Sequence, residues 1–110
     1  MSSYIVVFMT ASDKKEASKI VRSLLNERLI ACANIVGPVS SLFWWEGKID
    51  EASEFLVIMK SRRDLFKKLS EKVKETHSYE VPEILELPIT EGLPSYLEWM
   101  SASLHGEDDG

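Results

Sequence analysis

One cysteine, Cys32, is all the chain has, so no disulfide can form within it, and only two histidines, His77 and His105, occur in 110 residues. There is neither a Cys-x-x-Cys nor a His-x-x-x-His pair, which argues against a high-affinity closed metal site inside one subunit. Long hydrophobic runs are also missing. Stretches such as Ile5 to Met9 and Phe55 to Met59 are strand-sized, far short of the roughly 18 consecutive apolar residues of a membrane helix, so no membrane partner is expected. The N-terminus lacks a basic n-region and a long apolar stretch, which predicts no secretory signal and a cytoplasmic protein. Basic charge is not in excess either: 13 Lys and Arg stand against 18 Asp and Glu, a net charge of −5. Lys67, Lys68, Lys72 and Lys74 interleave with Asp64, Glu71 and Glu75 at helical spacings, the pattern of a solvated helix face and not of a nucleic-acid-binding patch. With no Gly-x-Ser-x-Gly, no Gly-rich phosphate loop, and Asp50 and Glu51 on opposite faces of a strand, no catalytic arrangement is visible and the expectation is a non-enzyme.

What is present suits a single domain spanning 1–110, since 45% hydrophobic content is enough for a core at this length. Residues 104–110, with Glu107-Asp108-Asp109, read as a frayed acidic tail. Tyr4 to Thr10 is apolar at almost every position, which predicts a strand covered on both faces. Ser12 or Asp13, with Glu16 three residues after Asp13, caps a helix whose Ala17, Ile20, Val21, Leu24 and Leu25 form one stripe. Ala31 to Trp45 reads as a second strand broken at Gly37-Pro38, and Ile49 to Lys60 as its antiparallel return. A helix over Asp64 to Thr76, a short strand over Glu83 to Ile89 and a helix from Pro94, burying Tyr96, Leu97, Met100 and Leu104, complete the order β-α-β-β-α-β-α. Two split β-α-β units define an α+β fold, a ferredoxin-like sandwich with an antiparallel sheet.

The second strand is too long for such a sheet. Thirteen or more residues reach about 40 Å at ~3.3 Å each, against ~17 to 20 Å for an ordinary strand, so the hairpin must overhang. Its tip, Trp44-Trp45-Glu46-Gly47-Lys48, joins two tryptophans to a turn. Leu42 and Trp44 point one way, Phe43 and Trp45 the other, and a two-stranded ribbon apolar on both faces needs cover. A homo-oligomer is expected, with Leu42, Phe43, Trp44 and Trp45 at its interface.

Four segments carry a resemblance: Arg28 to Ile35 (RLIACANI), Trp44 to Ile49 (WWEGKI), His77 to Glu83 (HSYEVPE) and Tyr96 to Trp99 (YLEW). In this order and spacing they cover roughly residues 4 to 104, and the chain resembles the CutA family of divalent-cation-tolerance proteins. The resemblance implies a homotrimer similar to the PII signalling proteins, with long hairpins reaching across subunits. It also implies binding of copper or another divalent cation and a role in cation tolerance; with so few ligands in this chain the binding is expected to be weak, and no organic cofactor is expected. The family's bacterial copper pattern pairs a cysteine ending the first strand with a His-His pair. Met9 and Thr76-His77 stand at those positions here, so His77 alone is retained. The candidate ligands are His77, Met9, Glu83 and Cys32, and Tyr79, Lys60 and Trp45 are expected to line an inter-subunit cleft. The alternative is a PII-like signalling or scaffold trimer that takes a small molecule or a protein in that cleft.

Overall fold

Asp13 starts the first helix as its side chain predicts: the carboxylate accepts the Glu16 backbone N–H at 2.7 Å. Glu16 reaches back to the N–H of Ser12 at 3.2 Å, one residue further out than in the usual capping box. The computed structural model describes residues 4–106. Along them run β1 (Tyr4–Ala11), α1 (Lys14–Asn26), β2 (Cys32–Trp45), β3 (Lys48–Arg62), a 3-10 turn (Arg63–Leu65), α2 (Phe66–Thr76), β4 (Ile84–Pro88) and α3 (Pro94–Ser103). The sheet order is β2-β3-β1-β4, antiparallel at every pairing, which is the ferredoxin-like arrangement. No helix among the described residues is long and apolar enough to cross a membrane.

The core lies between the helices and one face of the sheet. Ile5, Val7, Met9 and Ala11 of β1, with Val57 and Met59 of β3, meet Ala17, Ile20, Val21 and Leu24 of α1 and Leu69 and Val73 of α2. The expectation that β1 is covered on both faces is corrected here, because burial alternates strictly along the strand. The uncovered face is still apolar. Val6 and Phe8 lie beside Leu87 and Leu85 of β4 on one side and Lys60 and Ile58 of β3 on the other, and Val36 continues the surface across β2.

Three smaller expectations also change. Leu25 sits at the outer edge of the α1 stripe and is exposed, and so is Tyr96 in α3, whereas Met100 and Leu104 are buried. The tail does not fray at 104: Leu104 plugs the core, and His105 donates its N–H to the Arg28 carbonyl at 2.7 Å. His105 also accepts from the Arg62 guanidinium at 3.0 Å. Glu107-Asp108-Asp109 lie outside the described residues.

β1 pairs with β3 only from Phe55 to Arg62, yet β2 and β3 remain paired out to Trp45 opposite Lys48. Everything beyond Val39 and Glu54 is therefore a two-stranded ribbon projecting from the body, and the molecule measures 45 × 26 × 21 Å. Glu46 and Gly47 close its tip at φ 50° and 77°, the two positive values of a type I′ turn. A bulge between Val36 and Val39 marks the ribbon's root, where Gly37 lies so close to the Phe55 ring that a Cβ there would sit 2.5 Å from Cδ2. Toward the tip Trp44 is 74% and Trp45 61% exposed, and Leu42 and Ile49 are as open.

Candidate functional site

The loop after α2 folds back onto the end of β1, and His77 is its pivot. His77 buries its side chain completely. Its Nε2 lies 2.7 Å from the Thr10 carbonyl oxygen, and the Tyr79 backbone N–H donates to Nδ1 at 3.0 Å. A carbonyl can only accept and an amide N–H can only donate, so these partners fix the neutral Nε2–H tautomer.

Glu16 holds the same loop from α1. One carboxylate oxygen accepts the Ser78 N–H at 2.8 Å and the other accepts the Ser12 hydroxyl at 2.8 Å. Burial is the largest single influence on this group and pushes its pKa up. Hydrogen bonds from Ser78 and then Ser12 together outweigh it, bringing the value from 4.5 down to about 2. The same carboxylate stands 3.8 Å from His77 Nδ1.

Tyr79 carries the contact on to the ribbon. Its hydroxyl donates to Glu54 Oε2 at 2.7 Å, while its ring tilts against that of His77 at 4.7 Å between centroids. Glu54 is a buried carboxylate on the first β3 pair beyond the bulge. Burial, then the Glu54 hydrogen bond and charge, then Glu16 raise the Tyr79 phenol to about 12. β1, α1, β3 and the 77–79 turn thus meet in one network whose donors and acceptors are matched. Among the described residues no buried side-chain nitrogen or oxygen lacks a partner.

Of the residues singled out from sequence, only His77 and Tyr79 enter this network. Met9 is fully buried on the helix-facing side of β1, its thioether inside the core. Glu83 is exposed ahead of β4. Cys32 is half-buried and hydrogen-bonded through sulfur to the Tyr96 hydroxyl at 3.6 Å, at the far corner of the sheet. Lys60 belongs to that corner too: it pairs with Cys32 and Val6 and donates to Asn34 Oδ1 at 2.5 Å. Four residues of β1, about 13 Å, separate Val6 from the carbonyl that holds His77, so Lys60 does not join His77 and Tyr79 within the chain. Trp45 lies at the ribbon tip, six β3 positions or about 20 Å beyond Glu54.

Glu54 and the second role of Glu16 went unread in the sequence. Glu54 had a faint signal, a lone carboxylate abutting the apolar run Phe55 to Met59. A shallow groove of about 300 Å³ elsewhere, lined by Glu27, Lys68, Glu71, Lys72, Glu75 and His105, mixes both charge signs, with Lys72 paired to Glu27 at 2.9 Å.

Four antiparallel strands in this order with helices on one face define an α+β protein of the ferredoxin-like class, from which a two-stranded ribbon projects. Residues 5–103 match the family described as CutA1 divalent ion tolerance protein, and the chain belongs to that family. It is 43% identical over 99 residues to the chloroplastic protein CutA 1 of Oryza sativa, covering 90% of this chain and 56% of that protein, so it spans little more than half of this relative's length. Against the divalent-cation tolerance protein CutA of Archaeoglobus fulgidus it is 42% identical over 98 residues, 89% of this chain and 95% of that one. The crystal structure of CutA1 from Oryza sativa superposes with a TM-score of 0.92 at 42% identity, covering 94% of each chain.

Proposed function

We propose that this protein serves divalent-cation tolerance as a homotrimer, and that copper or another divalent cation binds weakly at the seams between subunits. One observation carries the reading: a ribbon apolar on both faces projects from a sheet whose open face is also apolar, and a single chain covers neither. The donor set agrees with a seam and not with a cage inside one chain. His77 has both ring nitrogens engaged, Met9 is sealed in the core, and Cys32 and Glu83 lie at opposite ends of the sheet. Among the described residues no group of three His, Cys, Asp or Glu side chains is placed to hold a metal. Cys32 and Glu83, which retain solvent access, can share an ion only across two chains.

Light scattering at micromolar concentration tests the assembly, with three times the 12.5 kDa chain mass expected and a monomer mass refuting it. Calorimetric titration with copper and zinc tests the seam. Affinity should fall in Cys32→Ser or Glu83→Gln and stay unchanged in His77→Gln. The same lack of converging ligands favours a second reading, a PII-like signalling trimer that binds a small molecule between subunits. Mass spectrometry of the natively purified protein separates the two, through a bound metabolite or a bound metal.

A further inference from the structure

We propose that the His77-Ser78-Tyr79 turn is a mechanical latch, locking the loop after α2 and the root of the projecting ribbon into one fixed relative pose. The inference goes beyond the assembly reading, because the latch acts within one chain whatever the ribbon meets.

The root needs support from outside the ladder. At the bulge between Val36 and Val39 the β2–β3 pairing is interrupted, and past it β3 no longer has β1 as a neighbour, since that pairing ends at Ala11 opposite Phe55. A two-stranded ribbon without a third element is marginal in water and swings on its weakest pairing. Glu54 is the first β3 residue on the far side of the bulge, and its carboxylate is buried, so its pose depends on having a donor. Tyr79 is that donor, from an element unconnected to the ribbon by any strand pairing.

Tyr79 is itself held by its backbone. Its N–H ends on His77 Nδ1, and the same ring is tied through Nε2–H to the Thr10 carbonyl at the end of β1. Glu16 clamps the intervening Ser78 N–H. Glu54, Tyr79, His77 and Thr10 therefore form a continuous run from the ribbon root to the body, and removing one member leaves a buried group unpaired in its neighbour. In this arrangement His77 is a positioning residue, and its work is to hold the Tyr79 amide.

Two variants and one measurement on the unmodified protein test the latch. Tyr79→Phe keeps the ring but removes the donor, and hydrogen exchange at the ribbon root, residues 39–41 and 52–54, should quicken about tenfold while the β1–β3 ladder over residues 5–9 and 57–61 is unchanged. His77→Gln should produce the same change at the root together with faster exchange of the Ser78 and Tyr79 amides. In the unmodified protein, nitrogen NMR of His77 should report the Nε2–H tautomer and show no shift when zinc is added. Root exchange unaltered in both variants overturns the proposal, and so does a His77 ring nitrogen that moves on zinc addition. Light scattering of each variant beside the exchange measurement separates the two readings, since a failed latch leaves root exchange unaltered at any mass and a failed trimer shows in the mass alone.

Discussion

Glu16→Gln isolates the charge at the centre of the network with almost no change of shape. Glu16 accepts from the Ser12 hydroxyl and amide on one oxygen and from the Ser78 amide on the other. Glutamine keeps an acceptor for Ser12 but turns an NH2 toward the Ser78 N–H, placing donor against donor. The folded carboxyl titrates at about 2 in place of its ordinary 4.5, which sets a ceiling of about 3 kcal/mol on the pH-dependent stabilisation at ~1.4 kcal/mol per tenfold. Its side chain is 15% exposed and partly screened by solvent, so a loss of about 2 kcal/mol is expected at neutral pH. A carboxyl whose folded value is depressed stabilises above the unfolded value and loses that contribution as pH falls through the folded one. The gap between wild type and variant should accordingly be full above about pH 5, shrink between 4.5 and 2, and close near 2, where the wild-type acid presents its own proton to Ser78. Guanidinium unfolding of both proteins from pH 7 to 2, at one fixed protomer concentration, measures the gap. A gap that stays constant over that range, or one that is absent at pH 7, would refute the assignment of Glu16 as an ionised clamp.

Three further outcomes follow from neighbouring features. The Tyr79 phenol, raised from 10 to about 12, stabilises the fold below pH 10 and loses that contribution as pH climbs to 12; a difference absorbance titration against Tyr79→Phe should show its phenolate forming only near 12. Gly37→Ala drives a methyl to 2.5 Å from Phe55 Cδ2 and should cost about 1–3 kcal/mol in denaturant unfolding, with Phe55→Leu in the same chain restoring part of it. Met9→Leu conserves volume in the core, so stability should change by less than about 1.5 kcal/mol and calorimetric copper affinity not at all, the sulfur having no access to solvent.

The hydrophobic pattern made the element order legible, including the break at Gly37-Pro38 and the overhang of the hairpin, while the choice between Ser12 and Asp13 as the first helix cap fell to the structure. It misled about β1 because an unbroken apolar run records every surface that wants cover, and one chain supplies cover for only half of Tyr4–Ala11. Leu104 and His105 read as a frayed end since nothing local holds them. What fixes them is a core pocket and the distant Arg28 and Arg62, and such contacts leave no mark on neighbouring residues. The network around His77 was half legible for the same reason: His77 and Tyr79 stand out in a loop, but the carboxylates that complete it lie 62 and 25 residues from their partners. Within one chain Lys60 stands away from that loop because β3 runs on to Arg62, which carries its end to the other corner of the sheet.

The bulge at the ribbon root also decides how the tip can close, by counting. In the body the strands pair so that Val36 faces Leu56, and that register continued outward would leave an odd number of residues at the end of the hairpin. One additional residue on β2 makes the number even, so Trp45 meets Lys48 and Glu46-Gly47 alone turn the chain. Parity set at one end of the arm is thus spent at the other. Deleting Gly37 would remove the bulge and keep this two-residue turn, whereas a slip that paired Gly37 with Phe55 would bring Trp44 opposite Lys48 and force a three-residue loop at the tip.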